Sequence, residues 1–192
     1  RFDYSGHGDS SGEINNLLLS NWVEESKILI KIKTKYPLIL IGSSMGAWIA
    51  LFLSFLIKRK IKGIIGIASA VDFTSIMLKK LNKSQYQKFL NLKKLKVESD
   101  YSKTPYFFSK KFIDDSKKFL LLKKNISIKP RTTLLYGMKD SSVDLMSQIK
   151  LLENLSDVRS TLLILKKSDH RMSSINDLKI IKKSLLEYVR NS

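Results

Sequence analysis

One short stretch decides the fold: GSSMG at residues 42–46, which joins two strongly apolar segments. The segment at 37–41 reads as a short buried strand, and the segment at 47–52 reads as the start of a buried helix. A Gly-x-Ser-x-Gly sequence at such a junction predicts a strained turn that exposes the serine hydroxyl above the sheet. The two glycines are expected to keep Cβ atoms away from the neighbouring strand and helix. Ser44 is therefore a candidate nucleophile, provided that the chain also supplies a base and a carboxylate.

Strand and helix patterns alternate on both sides of this stretch. Residues 1–4 read as the end of a strand that runs into a Gly/Ser/Asp loop, and residues 61–70 form a β-branched run. Two further strands are predicted at 132–136 and 161–165, followed by a closing helix. This alternation predicts an α/β fold, with a mostly parallel sheet and helices on both faces.

The alternation stops between about residues 74 and 130. Short amphipathic helices are predicted there at 76–78, 86–95 and 107–122. The insertion is too long for an ordinary loop, so we expect a small helical cap, inserted before the strand at 132–136 in a single domain of residues 1–192. Four aromatic residues of this cap are candidates either for lining an acyl pocket or for packing the cap onto the body: Tyr101, Tyr106, Phe107 and Phe108.

A serine hydroxyl needs a base to take its proton, and histidine has a suitable pKa range for that work. The chain has 2 histidines. His170 lies a few residues beyond the last predicted strand, at the edge of the sheet where the base is needed. His7 lies upstream of Ser44 in a glycine-rich loop, where a turn residue is the favoured interpretation. His170 is therefore the candidate base.

The imidazole must be oriented by a carboxylate. Asp140 falls directly beyond the strand at 132–136, at the same sheet edge as Ser44 and His170. The chain order Ser44, Asp140, His170 matches the serine, acid, histidine order that accompanies this kind of elbow. Three other carboxylates remain alternatives, although each is also explained as a capping or surface residue: Asp72, Asp144 and Asp169.

The oxyanion that forms during acyl transfer needs backbone N–H donors. The N–H group of Met45, at the start of the helix, is the candidate for one donor. A second donor normally comes from a loop after an earlier strand. The chain begins at Arg1 without an initiator Met, so we expect this loop and the first strands of the fold to be missing from it and to lie upstream.

Composition excludes several classes of chemistry. The chain has no cysteine, which excludes disulfides, a thiolate nucleophile and a cysteine-based metal site. The sequence predicts no metal and no cofactor. Lack of cysteine suits a reducing compartment, and a cytoplasmic location is expected. The most apolar helix, at about 45–57, is too short for a transmembrane segment.

The net charge is +18, from 35 basic and 17 acidic residues. The lysines are scattered through every segment, which favours solvated faces over a specific nucleic-acid surface. Weak attraction to anionic surfaces is expected. The charge leaves one alternative function open, a catalytically inactive relative of the fold that binds acidic partners. The sequence does not indicate an oligomeric state.

Several motifs together resemble a known family. They are RFDYSG at 1–6, GSSMGAW at 42–48, GIASA at 66–70, LYGMKD at 135–140 and SDHRM at 168–172. They resemble the α/β-hydrolase-domain subfamily that includes the mitochondrial palmitoyl-protein thioesterase, also described as the mycophenolic acid acyl-glucuronide esterase, and bacterial relatives.

This resemblance implies an α/β-hydrolase fold and a serine hydrolase acting on long-chain acyl thioesters or on carboxylic esters such as acyl glucuronides. Ser44, Asp140 and His170 match the nucleophile, acid and base of that family. Two positions depart from its pattern. Tyr136 stands where the family usually has histidine, and Asp144 stands where proline often follows Val143.

Overall fold

The computed structural model describes residues 1–33, 37–57, 61–98, 105–122 and 128–190. The chain divides into two compact units. We call the first the sheet unit, formed by Lys33–Val71 and Leu121–Ser192, and the second the helical unit, formed by Arg1–Ile32 and Asp72–Leu120. The single-domain organisation expected from the sequence stays a prediction.

The elements follow one another along the chain in this order: α1 Leu19–Lys33, β1 Leu38–Ser43, α2 Met45–Leu56, β2 Ile61–Ile67, α3 Phe73–Lys80, α4 Lys83–Leu92, β3 Lys94–Val97, β4 Tyr106–Ser109, α5 Lys110–Ser116, β5 Arg131–Gly137, α6 Leu145–Glu153, β6 Thr161–Leu165 and α7 Ile175–Arg190. Short 3-10 helices lie at Ile14–Asn16 and Lys117–Phe119.

The sheet unit contains a parallel sheet with the strand order β1-β2-β5-β6. Four of the five predicted strands are confirmed, and β6 has the predicted bounds. Ser43 pairs with Ile67, and Gly137 pairs with Leu165, so the carboxyl ends of neighbouring strands lie at one edge. The loops that follow β1, β5 and β6 therefore meet at that edge.

Helices cover both faces of this sheet, as the alternation predicts. A Cβ built on Gly63 of β2 would lie 2.2 Å from the ring of Tyr188 in α7. A Cβ built on Gly66 would instead lie 3.7 Å from Ala47 in α2. Residues 63 and 66 point to opposite faces of a strand, so α2 and α7 pack on opposite faces. Among the residues that the structure describes, no helix has both the length and the apolar character needed to cross a bilayer.

The helical unit contains a strand pair that the sequence patterns do not predict. Strands β3 and β4 form an antiparallel pair in which Leu95 lies opposite Phe108, so the predicted helices over 86–95 and 107–122 are wrong in these parts. Leu95 is buried with Phe89 and Ile113, and Phe108 packs against that cluster. The segment 94–97 alternates lysine with an apolar residue, which is the period of a strand with one buried face. Over only four residues this alternation also fits the pattern of a longer helix, which is why the sequence predicts a helix there.

Residues 1–4 do not form the predicted strand and have no regular secondary structure. Their carbonyl groups bond to the loop that follows them: Tyr4 accepts a hydrogen bond from the N–H of His7, and Asp3 accepts one from the hydroxyl of Ser10. Because these carbonyl groups are satisfied locally, no strand ladder is needed to pair them.

A buried carboxylate of the helical unit connects α5 to the start of α1. Asp115 accepts hydrogen bonds from the N–H of Ser20 at 2.8 Å and from Lys118 Nζ at 2.7 Å. Burial raises the pKa of Asp115, but the hydrogen bonds from Lys118 and Ser20 outweigh burial and leave the pKa below its usual value. The ionised carboxylate therefore stabilises the folded state.

We expect Asp115→Asn to lower the free energy of unfolding by about 1–2 kcal/mol at neutral pH, because it weakens the hydrogen bonds to a buried carboxylate. The ion pair with Lys118 adds little to this loss, because the Lys118 side chain is mostly in solvent. The contribution of a carboxylate with a lowered pKa is complete above the unfolded pKa of about 3.9 and is lost as pH falls through the folded pKa. Denaturant unfolding from pH 7 down to 3 measures this difference, which should shrink with acid. The partly exposed neighbour Asp114 supplies the control Asp114→Asn, and an equal loss there would contradict the role of Asp115.

Candidate active site

The turn between β1 and α2 holds Ser44 in a strained conformation. Its φ is 53° and its ψ is −119°, a combination that costs a non-glycine residue about 1–3 kcal/mol. The end of β2 supports this turn, because Ser44 N–H donates to the carbonyl of Ile67 at 2.8 Å and its carbonyl accepts from Ala70 N–H at 3.1 Å. The Ser44 side chain makes no capping bond to α2. Its hydroxyl is therefore available for another partner.

The two glycines of the elbow differ in what they contribute. A Cβ on Gly42 would lie 2.3 Å from the carbonyl oxygen of Gly46 and 2.5 Å from the nitrogen of Ala47, so only glycine lets the helix start this close to the strand. A Cβ on Gly46 would meet nothing within 4 Å. The expectation of steric exclusion is therefore confirmed at Gly42 and is wrong at Gly46.

The loop after β5 fixes the carboxylate of Asp140. Its Oδ1 atom accepts hydrogen bonds from the backbone N–H groups of Ser142 at 2.8 Å and Val143 at 3.0 Å. The hydroxyl of Tyr136 donates to the carbonyl of Val143 at 3.0 Å and closes the same loop. Burial, together with the charges of Asp140 and Asp144, raises the pKa of Tyr136, which keeps this hydroxyl protonated as a donor. The tyrosine at this position thus acts on the acid loop, a contact that the sequence alone did not reveal.

His170, in the loop after β6, contacts both other candidates. Its Nδ1 lies 2.8 Å from Asp140 Oδ2, and its Nε2 lies 3.1 Å from Ser44 Oγ. The Asp140 side chain has no exposed surface, and the His170 side chain is 15% exposed. A carboxylate only accepts, so Nδ1 carries the proton and the neutral Nε2 accepts from the serine hydroxyl. The structure therefore brings Ser44, His170 and Asp140 into one hydrogen-bonded chain.

The contacts among these three side chains require the loop after β5 to lie close to the loop after β6. The N–H of Lys139, next to Asp140, donates to the carbonyl of Ser168 at 2.9 Å. A Cβ on Gly137 would lie 2.4 Å from that carbonyl oxygen and 2.7 Å from the carbonyl oxygen of Asp169. Both contacts are with backbone atoms, which cannot rotate away. Glycine at position 137 therefore sets the separation between the acid loop and the histidine loop.

We expect Gly137→Ala to push these loops apart and to lower kcat by about 100-fold, the effect of a displacement of roughly 1 Å. Overpacking should also lower the free energy of unfolding by about 1–3 kcal/mol. Steady-state kinetics and denaturant unfolding measure the two effects. Gly46→Ala makes the same chemical change in open space and should keep wild-type stability. Wild-type kcat in Gly137→Ala would show that the loops tolerate more separation than their contacts imply.

Three of the alternative residues, Asp144, Asp169 and His7, make local contacts of their own. Asp144 caps α6 by accepting from Ser147 N–H at 3.0 Å. Asp169 Oδ1 accepts from the N–H groups of Arg171 and Met172 at 3.0 and 3.1 Å. Asp72 is buried at the start of α3 in the helical unit. His7 Nδ1 lies 3.3 Å from the carbonyl of Ser5, within its own loop, as the turn interpretation predicts.

The structure describes the positions of Met45 and of three of the four predicted pocket residues. Met45 is the first residue of α2, where an N–H has no intrahelical acceptor, and its oxyanion role stays a prediction. Tyr106 and Phe107 are each 49% exposed, and Phe108 packs 5.3 Å from the ring of Phe73. Tyr101 lies outside the described residues. The lining of an acyl pocket by these four aromatic residues stays a prediction.

Comparison with known proteins gives consistent matches along the chain. A family model described as "Serine aminopeptidase, S33" matches residues 1–118. The rat "Palmitoyl-protein thioesterase ABHD10, mitochondrial" is 30% identical over 183 residues, which cover 94% of this chain and 61% of the rat protein. This chain thus spans about three fifths of the length of the curated relatives it matches.

Solved structures agree on the fold. A putative hydrolase from Agrobacterium vitis S4 superposes with a TM-score of 0.91 at 30% identity, over 98% of this chain and 75% of that one. The mouse alpha/beta hydrolase domain-containing protein 10 superposes with a TM-score of 0.92 at 24% identity, over 100% of this chain and 77% of that one. The α/β-hydrolase fold predicted from the sequence is confirmed, and so is the resemblance to the thioesterase subfamily.

Proposed function

This chain belongs to the serine aminopeptidase S33 family of α/β hydrolases, and from that membership we propose that it is a serine hydrolase that cleaves acyl esters or thioesters. The observation that carries the proposal is the chain of contacts from Ser44 Oγ to His170 and from His170 to Asp140. Both distances suit proton transfer from the hydroxyl to the imidazole and orientation of the imidazole by the carboxylate.

The reaction starts when His170 Nε2 takes the proton of Ser44 as Oγ attacks the acyl carbonyl carbon. The new oxyanion accepts a hydrogen bond from the N–H of Met45. His170 then gives its proton to the departing thiol or alcohol, the C–S or C–O bond breaks, and an acyl-serine remains. Water attacks this ester with His170 as base, which releases the acid and restores Ser44.

Asp140 stabilises the imidazolium formed in both halves of the reaction. Two backbone N–H groups hold its Oδ1, so Oδ2 cannot turn away from His170 without losing them. Its side chain is shielded from water, which strengthens the interaction with the charged imidazole. The carboxylate therefore supplies orientation and charge and takes no proton itself.

The proposed substrates are acyl thioesters and carboxylic esters, in keeping with relatives named palmitoyl-protein thioesterase. A thiolate is a better leaving group than an alkoxide. The same residues can therefore cleave both kinds of bond, and cleavage of a thioester needs less proton donation from His170. The names of these relatives include the word mitochondrial. The lack of cysteine in this chain suits any reducing compartment, and the cytoplasm is the location that we propose.

The test combines covalent labelling with a substrate panel. Intact mass after reaction with a fluorophosphonate should show one adduct, located by peptide mapping on Ser44. The panel comprises acyl thioesters and p-nitrophenyl esters of increasing chain length, and an aminoacyl p-nitroanilide because the family description names an aminopeptidase. Turnover of the p-nitroanilide alone would overturn the ester and thioester assignment. Absence of both labelling and turnover, together with retention on a polyanion column, would favour the binding role suggested by the +18 charge.

A further inference from the structure

Another buried carboxylate contacts the histidine loop, and the reaction steps above do not use it. Asp177, near the start of α7, is 4% exposed. Its Oδ1 accepts a hydrogen bond from the hydroxyl of Ser168, and its Oδ2 accepts from the N–H and hydroxyl of Ser174 at 3.1 and 2.6 Å. Burial by itself raises the pKa of Asp177, but these hydrogen bonds outweigh it and leave the pKa below its usual value. The group is therefore an anion at neutral pH.

The two carboxylate oxygens of Asp177 make different contacts. Together with the bond from Asp177 N–H to Ser174 Oγ at 3.2 Å, the Oδ2 contacts form a capping box at the start of α7. A capping box needs only one carboxylate oxygen. The Oδ1 contact with Ser168 is thus additional, and it ties the helix to a residue two positions before His170.

Ser168 also connects the histidine loop to the acid loop. Its carbonyl accepts from the N–H of Lys139, and it lies against the space left by Gly137. On the other side of His170, the N–H of Met172 is held by Asp169, and Met172 is 1% exposed in the core of the sheet unit. The loop is therefore held in place on both sides of His170, at Ser168 and at Met172.

We propose that Asp177 is a positioning residue, which acts through Ser168 to fix the loop that sets the distances from His170 to Asp140 and to Ser44. For turnover this inference rests on the proposed function, whereas for the placement of His170 it rests on the contacts alone. The hydrogen bonds described for Asp177 go to Ser168 and Ser174 and to none of the three reacting side chains. Its loss should therefore disturb the transition state and leave substrate binding largely intact.

Ser168→Ala removes the link and leaves the capping box in place. We expect kcat to fall by about 10- to 100-fold, because small displacements of a base are costly, with KM nearly unchanged. Ser54→Ala is the matched control, since Ser54 is a buried serine of the same unit whose hydroxyl donates within α2, to the carbonyl of Leu51 at 2.6 Å. Its kcat should match wild type. A wild-type kcat in folded Ser168→Ala, or a loss carried by KM, would overturn the proposal.

Asp177→Asn keeps the shape of the side chain and completes a double-mutant cycle. We expect it to lower kcat in the wild-type background and to have no further effect in the Ser168→Ala background, since both changes act on one link. Independent, multiplicative effects would show that Asp177 acts by another route and would overturn the proposal.

A spectroscopic readout separates this inference from the proposed function. The chain has 2 histidines, so the strongly deshielded Nδ1 proton of a carboxylate-bound His170 is assigned by comparison with His7→Gln. Ser168→Ala should broaden or shift this proton resonance, and Ser54→Ala should not. If wild type shows the resonance without any turnover, the proposed function fails while the response to Ser168→Ala still decides the positioning role. An unchanged resonance in Ser168→Ala would overturn it.

Discussion

Ser44→Ala is expected to lower kcat for ester and thioester hydrolysis by at least about 10⁴-fold, because no acyl-serine can form without the hydroxyl. The residual rate comes from direct attack by water on the bound substrate, helped only by the oxyanion donors and by the orientation of the substrate. The variant should fold, since the Ser44 side chain makes no capping bond and its backbone bonds to Ile67 and Ala70 do not involve the side chain. Steady-state turnover and fluorophosphonate labelling measure the effect.

The neighbouring serine supplies a control for this experiment. Ser43 is the last residue of β1 and is exposed, so Ser43→Ala makes the same chemical change one residue away. It should retain labelling and most of the turnover. Comparable turnover in Ser44→Ala and wild type would remove Ser44 from the mechanism, and with it the acyl-serine intermediate.

Asp140→Asn is expected to lower kcat by about 10⁴-fold with little change in KM. The backbone N–H groups of Ser142 and Val143 both donate to Oδ1, so the amide oxygen of asparagine must take that place. Its NH₂ group then faces His170, whose Nδ1 must accept. This reverses the tautomer, and Nε2 carries a proton that prevents it from accepting one from Ser44.

The control for the acid is Asp144→Asn, because Asp144 was the alternative that follows Asp140 most closely in the chain. Asparagine is as good an N-cap as aspartate, so this variant should keep both its stability and its kcat. A large loss in Asp144→Asn and a small one in Asp140→Asn would exchange their assignments. Circular dichroism of both variants checks that the fold is retained.

Some features were predictable because their signals are local. The glycine-serine motif lies between a strand and a buried helix, although β1 is only half-buried where the sequence predicts a buried strand. The apolar residues of β2 and of the second half of β5 are recognisable in the sequence. Parallel strands place their carboxyl ends at one edge, so chain order alone brings the segments after β1, β5 and β6 together. The short strands β3 and β4 gave a weaker signal, because an alternation of four residues also fits into a helical pattern.

The sequence by itself determined the fold class and the candidate set of Ser44, Asp140 and His170, because periodicity and order along the chain carry that information. The tertiary structure alone decided which contacts the set makes. The proximity of Gly137 to Ser168 depends on how two loops distant in sequence pack, and the link from Asp177 to Ser168 depends on how the start of α7 packs on the loop before it. Such distances of a few ångströms have no periodic signature, yet they fix where the imidazole lies. That is why Asp140, the carboxylate that the sequence favours among four, is seen bonded to His170 only in the tertiary structure.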